Sequence, residues 1–240
     1  TFYNSIVFMP PYMKNDSDFL KAVGKISEYA REKKIVYRLR GLRPEQAALL
    51  DETKFLTASS RNDYDYIYNS DDLKYLRGKA FHSKRNFVTR FENTYNYTVS
   101  DYTPEDYDGL MALYEIWKDE SSHSTLEVEK KAVERALKYH KQLDLRIAVI
   151  KVDGKYAGFS VSSIECNGIV HTIFEKGLTE YVGIYQAINK FAAQRYFPDG
   201  TFVNRQEDMG IEGLRRAKLS YNPVILYEKH FAEERAVDTE

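Results

Sequence analysis

The sequence has 240 residues, of which 43% are hydrophobic, so it is long enough to bury one large core or two of ordinary size. Its 35 lysines and arginines balance 36 aspartates and glutamates, and the net charge of -1 excludes a global field that would steer the chain toward nucleic acid or an acidic membrane. A single cysteine, Cys166, excludes an internal disulfide, and no apolar run approaches the roughly 20 residues that cross a bilayer, so we predict a cytoplasmic protein.

The first third of the chain is predicted to alternate strands and helices. Ser5–Met9 is an apolar strand that ends at a proline pair, and Asp16–Lys34 has the apolar spacing of a helix. The side chains expected on its buried face are Phe19, Leu20, Val23, Ile26 and Ala30. Ile35–Gly41 alternates as a second strand, Pro44 begins a short helix, and Tyr64–Tyr68 alternates as a third strand.

A basic segment follows a short helix that Ser70 can cap. In Arg77–Phe91, RGKAFHSKRNFVTRF, five lysines or arginines occur without an acid, and apolar residues recur at helical spacing. This pattern predicts a basic amphipathic helix within residues 77–96 that joins two halves. Its candidate phosphate and RNA contacts are Lys79, Lys84, Arg85, Asn86 and Arg90, with His82 as a further contact. The alternative is a solvated helix face whose charges pair with nearby acids.

The second half is predicted to begin with a strand at Tyr97–Ser100. Its further elements are helices at Pro104–Lys118 and Leu126–Gln142, strands at Leu145–Val152, Lys155–Ile164 and Ile169–Lys176, a helix at Gly183–Tyr196, a strand at Thr201–Asn204, a helix at Ile211–Leu219 and a strand at Val224–Phe231. Residues 5–68 and 169–231 share the order strand, helix, strand, helix, strand, which we interpret as a structural repeat. The first copy lacks the front half of the second, and we expect that half to precede Thr1.

Three long motifs resemble a known family. YDYIYNSDDLKYLRGKAFHSKRNFVTRF at Tyr64–Phe91, YVGIYQAIN at Tyr181–Asn189 and FVNRQEDMGIEGLRRAKLSYNPV at Phe202–Val224 are similar to the C-terminal domain of phosphatidylglycerol lysyltransferase. The order of elements resembles GNAT acyltransferase units in tandem, as in the Fem-type aminoacyltransferases. The resemblance implies an α/β (α+β) fold with mixed central sheets flanked by helices. It divides the chain into a partial GNAT-like unit at 1–76, the basic helix at 77–96 and a complete unit at 97–240.

The resemblance also implies transfer of an aminoacyl group from charged tRNA to a lipid or another acceptor. Two alternatives stay open. One is an N-acyltransferase that uses acyl-CoA, and the other is a catalytically silent module that binds an amino acid or a peptide. No cofactor is expected beyond aminoacyl-tRNA as co-substrate, with acetyl-CoA less favoured. The histidines, at positions 82, 123, 140, 171 and 230, have no metal-binding spacing.

The candidate substrate-binding residues concentrate where a central strand ends and a helix begins, the position at which α/β folds place ligands. They are Asn204, Arg205, Glu207, Asp208 and Gly210, with Gln186 on a neighbouring helix. Arg205 can hold a carboxylate or a phosphate, and Glu207 or Asp208 can hold an ammonium, so the set suits an amino acid. The alternative is a helix cap with a salt-bridge network and a solvated face of Arg215, Arg216 and Lys218.

The loop at Glu180–Tyr185 occupies the place where GNAT enzymes cradle the pyrophosphate of acyl-CoA. Of that family's pattern only Gly183 matches, because an acid and a bulky ring stand at the first and last positions, so acyl-CoA is disfavoured. The candidate catalytic residues are Glu175, as base or ammonium anchor, and Tyr185, as acid or hydroxyl donor. The alternatives are a surface carboxylate and an aromatic ring used only in packing.

Overall fold

The computed structural model describes residues 5–120 and 126–235. The strands are β1 (Ser5–Phe8), β2 (Val36–Leu42), β3 (Phe55–Ser59), β4 (Asp65–Asn69), β5 (Tyr97–Asp101), β6 (Arg146–Val152), β7 (Lys155–Ile164), β8 (Val170–Gly177), β9 (Phe202–Asn204), β10 (Ile225–Tyr227) and β11 (His230–Glu234). The α-helices are α1 (Asp16–Lys33), α2 (Pro44–Ala48), α3 (Ser70–Tyr75), α4 (His82–Thr94), α5 (Tyr107–Asp119), α6 (Leu126–Lys138), α7 (Ile184–Tyr196) and α8 (Glu212–Leu219).

The first helix shows how local sequence determines an element and its buried face. α1 follows Asn15, whose side-chain oxygen accepts a backbone N–H of the first turn at 2.9 Å. Phe19, Val23 and Ala30 are buried, as the apolar spacing predicts. The prediction for Leu20 is wrong: its side chain is 42% exposed, because it follows Phe19 by one residue and points about 100° away around the helix.

Two further differences from the predicted elements concern strands. β3 was not predicted, because only Phe55 of its five residues is fully buried and the pattern of alternation is weak. The prediction of one strand over Val224–Phe231 is wrong, because β10 and β11 belong to different sheets. The chain therefore leaves the extended conformation between them, at Glu228 and Lys229.

The described chain forms two compact units. One contains the described residues up to Asp65, Glu207–Arg215 and the described residues from Leu226 onward, and the other contains Tyr66–Gln206 and Arg216–Ile225. This division differs from the predicted boundaries at 76 and 96, because segments distant in sequence pair within one sheet. The basic helix α4 lies inside the second unit and does not link two units.

The two sheets share a repeated strand order, but the prediction for the first copy is wrong at its third strand, which is β3 and not Tyr64–Tyr68, because the latter (β4) pairs in the other sheet. The first unit has the strand order β1-β2-β11-β3, with β1 parallel to β2 and β11 antiparallel to both of its neighbours. The larger sheet has the order β10-β4-β9-β8-β7-β6-β5, with β8 parallel to β9 and β4 antiparallel to β9. In each copy one further strand is inserted between the second and third strands of the repeat. This strand is β11 in the first copy and β4 in the second, so it comes from a distant part of the described chain.

The parallel strands β8 and β9 separate soon after they pair. Their registered pairs are Val170 with Val203 and His171 with Asn204, and β9 ends there. β8 continues to Gly177 and stays paired with β7 through Lys176 and beyond. After His171, β8 therefore no longer pairs with β9. The candidate site lies where the two strands separate.

Candidate functional site

A buried ion pair lies where β8 and β9 separate. Glu175 is on β8, four residues past the last pair with β9, and Arg205 is the first residue after β9. The Arg205 Nη2 atom lies 2.5 Å from Glu175 Oε2, and the two side chains are only 12% and 13% exposed. The structure thus brings together a predicted catalytic residue and a predicted binding residue that are 30 positions apart in sequence.

Aromatic rings surround the guanidinium of Arg205. Its central carbon lies 4.9 Å from the ring centroid of Tyr221 and 5.7 Å from that of Tyr68. Burial raises the pKa of both phenols, so both rings stay neutral. Burial is the largest single effect on the pKa of Arg205 and lowers it, but the combined effects of Glu175, Tyr68 and Tyr221 raise it by more, so the pKa of Arg205 is raised and the guanidinium stays charged. The sequence analysis missed both tyrosines, because their approach depends on β4 and on the turn after α8.

A layer of buried polar side chains lies on the same face of the sheet as Glu175. Asn189, on α7, donates from Nδ2 to Glu175 Oε1 at 3.1 Å. Ser160 is directly opposite Glu175 across the β7–β8 ladder, and Ser162 is opposite Thr172, so each pair shares one face. Buried side-chain atoms of this layer without a hydrogen-bond partner among the described residues are Ser160 Oγ, Ser162 Oγ, Thr172 Oγ1, Asn189 Oδ1, and Arg205 Nε and Nη1.

Such atoms are rare in folded proteins, and groups of them occur where a site exchanges hydrogen bonds with a ligand or ordered water. The sequence analysis missed this layer, since an isolated serine or threonine inside a strand has no pattern that marks it. A possible signal was the run of small polar residues in β7, at Ser160, Ser162 and Ser163, within an otherwise apolar strand.

Tyr185 lies in the first turn of α7 and is 36% exposed. Its hydroxyl oxygen accepts a hydrogen bond from Trp117 Nε1 at 2.9 Å. Burial raises the pKa of Tyr185, and the charge of Glu175 raises it further, so the two predicted catalytic side chains interact electrostatically. Gln186, the next residue on α7, is half-buried.

Other residues of the chain fill the space beside the Glu180–Tyr185 loop. Gly183 precedes α7 with a φ of 90°, and a Cβ at this position would lie 2.4 Å from the carbonyl oxygen of Phe87 on α4. The Val182 N–H donates to the hydroxyl of Tyr95 at 3.0 Å. The glycine is therefore explained by the close approach of α4, and one amide of the loop already has a partner inside the protein.

Glu207 belongs to the first unit and has a cation of the chain beside it. Its carboxylate lies 3.0 Å from the Lys229 ammonium, which also lies 2.7 Å from Asp65. Burial is the largest single effect on the pKa of Glu207 and raises it, but the charge and hydrogen bond of Lys229, a backbone hydrogen bond and the charge of Arg40 together lower it by more, so the pKa is lowered. This arrangement is the salt-bridge network that the sequence analysis kept as an alternative.

Asp208 is fully buried in the same unit and is also engaged. Arg215 donates to its two oxygens at 2.8 and 3.0 Å, and Arg61 lies 3.4 Å away. The Gly210 N–H donates to Asp208 Oδ1 at 2.8 Å, so the aspartate caps the turn before α8. Of the predicted binding residues, Asp208 and Gly210 are thus hydrogen-bonded to each other, whereas Arg205 forms an ion pair with Glu175.

The backbone after β9 is held by a buried lysine. Lys218, on α8, donates to the carbonyl oxygens of Arg205 and Gln206 at 2.6 and 3.1 Å and is 8% exposed. The Asn204 side chain accepts the Gln206 N–H at 2.7 Å, and Gln206 has a φ of 58°. The alternative of a solvated face fails at Lys218, because α8 turns this side chain toward two carbonyls that need a donor, whereas Arg216 is exposed.

Three of the five predicted RNA-contacting residues are exposed. Lys79 precedes α4, and Asn86 and Arg90 lie four residues apart on the helix, with His82 on the same stripe. The Asn86 side chain hydrogen-bonds the His82 ring at 3.2 Å.

The other two turn inward within the second unit. Arg85 donates to the carbonyl oxygens of Leu76 and Gly78, which follow α3, so its role there is to cap that helix. The Lys84 ammonium lies 4.6 Å from the ring centroid of Tyr221, the same ring that Arg205 contacts.

No group of His, Cys, Asp or Glu side chains suited to a metal ion occurs among residues 5–120 and 126–235. His123 lies outside the described residues. Over the same described ranges, no helix has the length and apolar character needed to cross a bilayer.

Comparison with known proteins decides the family. The model of the family described as phosphatidylglycerol lysyltransferase, C-terminal, matches residues 3–233. The chain belongs to this family. A conserved protein of unknown function from Bacteroides thetaiotaomicron is 32% identical, with a TM-score of 0.85 over 95% of this chain and 79% of that one. The structure of L-PGS from Bacillus licheniformis is 16% identical, with a TM-score of 0.71 over 100% of this chain and 80% of that one.

The fold is shared more widely than the sequence. A tandem GNAT protein from the clavulanic acid biosynthesis pathway has a TM-score of 0.55 at 11% identity, over 95% of this chain and 73% of its own. The predicted fold, tandem GNAT-like units with mixed sheets flanked by helices, is confirmed. Family and fold together make the chain a GNAT-type acyltransferase domain of the phosphatidylglycerol lysyltransferase C-terminal kind.

Proposed function

We propose that this protein transfers an aminoacyl group from a charged tRNA to an acceptor, and that Glu175 and Arg205 form the centre of its site. The observation that carries the proposal is the buried ion pair at the separation of β8 and β9, in a chain that belongs to a family named for lysyl transfer. The layer of buried polar atoms around this pair adds hydrogen-bonding capacity to the same place.

The chemistry of an aminoacyl ester assigns a role to each charge. The ester has a free ammonium, a carbonyl and no free carboxylate. Glu175 is suited to hold the ammonium, and Arg205 still has two N–H groups that can donate to oxygen, either of the ester or of the oxyanion formed when the acceptor attacks.

Tyr185 is suited to protonate the leaving ribose oxygen. Because the Trp117 N–H donates to its hydroxyl oxygen, the phenolic proton must point elsewhere and remains available to a ligand. When the bond between the carbonyl carbon and the ribose oxygen breaks, this proton would complete the leaving hydroxyl, and the proton that the attacking group of the acceptor loses would restore the phenol.

The acyl-CoA alternative is opposed by the loop before α7. A pyrophosphate cradle needs free backbone N–H groups, yet the Val182 N–H is bound by Tyr95 and the Phe87 carbonyl oxygen faces Gly183. A carbonyl oxygen and the Glu180 carboxylate would both repel a pyrophosphate.

The test is a thermal-shift screen with non-hydrolysable 3′-aminoacylamino-adenosine analogues of the twenty amino acids, with acetyl-CoA in parallel. We expect one analogue to stabilise the protein, by about 2.7 kcal/mol at a concentration of roughly 100 times its Kd. Glu175→Gln should abolish this shift, because the amide cannot pair with the ligand ammonium. The matched control is Glu180→Gln, which removes an exposed carboxylate from the loop and should retain the shift.

Two results would contradict the proposal. Stabilisation by acetyl-CoA and by no analogue would assign the protein to the acyl-CoA-dependent N-acyltransferases. Binding of an analogue without turnover, with any acceptor class and with intact aminoacyl-tRNA, would favour a silent binding module.

A further inference from the structure

Two cations approach the same tyrosine ring in the second unit. The Lys84 ammonium and the Arg205 guanidinium lie 4.6 and 4.9 Å from the ring centroid of Tyr221. Burial lowers the pKa of Lys84, and the positive charge of Arg205 lowers it further, so the two cations repel each other. Sequence reasoning assigned these residues to separate sites, one for RNA and one for the amino acid.

The charges around this ring do not balance. Glu175 is paired with Arg205, whereas among the described residues no acid contributes to the electrostatic environment that shifts Lys84. The three side chains together have one excess positive charge. Arg205 also has two buried N–H groups, Nε and Nη1, without a hydrogen-bond partner within the described chain. A singly charged anion would balance the charge and accept from those donors.

The proposed function identifies the class of anion. In an aminoacyl ester the α-carboxyl group of the amino acid is consumed, so the anions that every such donor contains are its phosphodiesters. We propose, on the basis of that function, that Lys84 and Arg205 form a subsite for one phosphodiester at the 3′ end of the RNA donor, beside Glu175.

The same helix favours RNA over a small isolated anion. α4 carries Lys84 on its inner side and presents His82, Asn86 and Arg90 as an exposed stripe. A polynucleotide can place successive phosphates on the inner lysine and on the outer stripe, whereas a lone headgroup reaches one of them.

The test is isothermal titration calorimetry with the trinucleotide CpCpA, which contains phosphodiesters and no aminoacyl group. Lys84→Gln should weaken binding about tenfold or more and reduce the slope of log K against log salt concentration by about 0.7. Arg205→Lys keeps the charge but loses the planar fork, so it should also weaken binding. The matched control, Lys155→Gln at the exposed start of β7, should bind CpCpA as the parent protein does.

Lys84 is half-buried and makes no ion pair with an acid in the described structure, so Lys84→Gln should keep the parent's melting temperature. Equal binding of CpCpA by the parent and Lys84→Gln would overturn the subsite. So would binding of glycerophosphoglycerol, a lipid headgroup probe, with the same dependence on Lys84 and no binding of CpCpA.

The aminoacyl-adenosine analogue contains no phosphodiester, so the two proposals fail separately. If CpCpA binds through Lys84 but no analogue binds, the phosphodiester subsite stands and aminoacyl transfer fails. If an analogue binds through Glu175 but CpCpA does not bind, the reverse holds.

Discussion

At the scale of single residues, the central feature is a charged pair that is almost removed from solvent. Glu175 and Arg205 each lose hydration on burial, and their mutual attraction, with the Asn189 hydrogen bond, offsets that cost. Replacement of a buried pair by apolar residues is often neutral or stabilising, so a pair of this kind is weak grounds for a stability role. A function that requires charged groups explains the buried pair better than a role in stability does.

Removal of one partner should destabilise the protein more than removal of both. We expect Arg205→Met and Glu175→Met each to cost about 3 kcal/mol, because each leaves a buried charge unpaired, and the double variant to cost less than either single variant. Urea unfolding of the three variants measures the coupling.

The exposed pair Arg146 and Asp144, with side chains 40% and 75% exposed, provides the control. Arg146→Met should change the free energy of unfolding by about 1 kcal/mol or less, since solvent screens the charges. Strict additivity for the buried pair would show that Glu175 and Arg205 do not interact energetically.

The sequence predicted both residues of this pair as site residues but did not predict that they pair with each other. Arg205 was grouped with Glu207 and Asp208 because they are neighbours in sequence, yet those two carboxylates bind Lys229, Arg215 and Arg61. The sharp turn after β9 separates consecutive side chains, since Gln206 and Met209 both have positive φ. Backbone direction at such a turn follows from tertiary hydrogen bonds, and no local pattern encodes it.

At the scale of elements, the contact between α4 and the start of α7 shapes the site. The loop glycine, Gly183, resembles a ligand cradle in sequence, but the structure fills the space beside it with the Phe87 carbonyl oxygen. Glycine is needed at this position for two reasons: the backbone has a φ of 90°, and the backbone of α4 approaches it closely.

Gly183→Ala should therefore destabilise the protein by about 1–3 kcal/mol, because the added Cβ would meet a backbone atom and the residue would keep a strained φ. Thermal or urea unfolding measures the change. Gly24→Ala is the matched control: Gly24 lies inside α1 with nothing within 4 Å of an added Cβ. That substitution should stabilise by about 0.5–1 kcal/mol, and a harmless Gly183→Ala would mean that α4 can move away.

At the scale of the whole molecule, each sheet contains a strand from a distant part of the chain. β11 lies between β2 and β3, and β4 lies between β9 and β10. In both copies of the repeat the inserted strand lies between the second and third strands and comes from a distant part of the described chain. Local periodicity predicts that a strand exists, whereas its neighbours depend on which edge is free when the sheet forms.

Fragments cut at the predicted boundary should not fold alone. A fragment of residues 1–96 lacks β11, which its first sheet needs, and a fragment of 97–240 lacks β4 and α4, which belong to the second unit. We expect each to lack a cooperative thermal transition by circular dichroism and the mixture to recover one. Cooperative unfolding of 97–240 by itself would contradict the exchanged-strand arrangement.

The sequence by itself determined the class of fold, most helices and strands, and the family, because periodicity, caps and long motifs are local properties. It also pointed to Glu175, Tyr185 and Arg205. Only the tertiary structure decided that Arg205 pairs with Glu175, that Lys84 approaches the same tyrosine ring, and that β4 and β11 are exchanged between sheets. These relations join residues far apart in the chain, and long-range pairing is selected by the burial of whole faces and the balance of buried charge, which no short stretch of sequence contains.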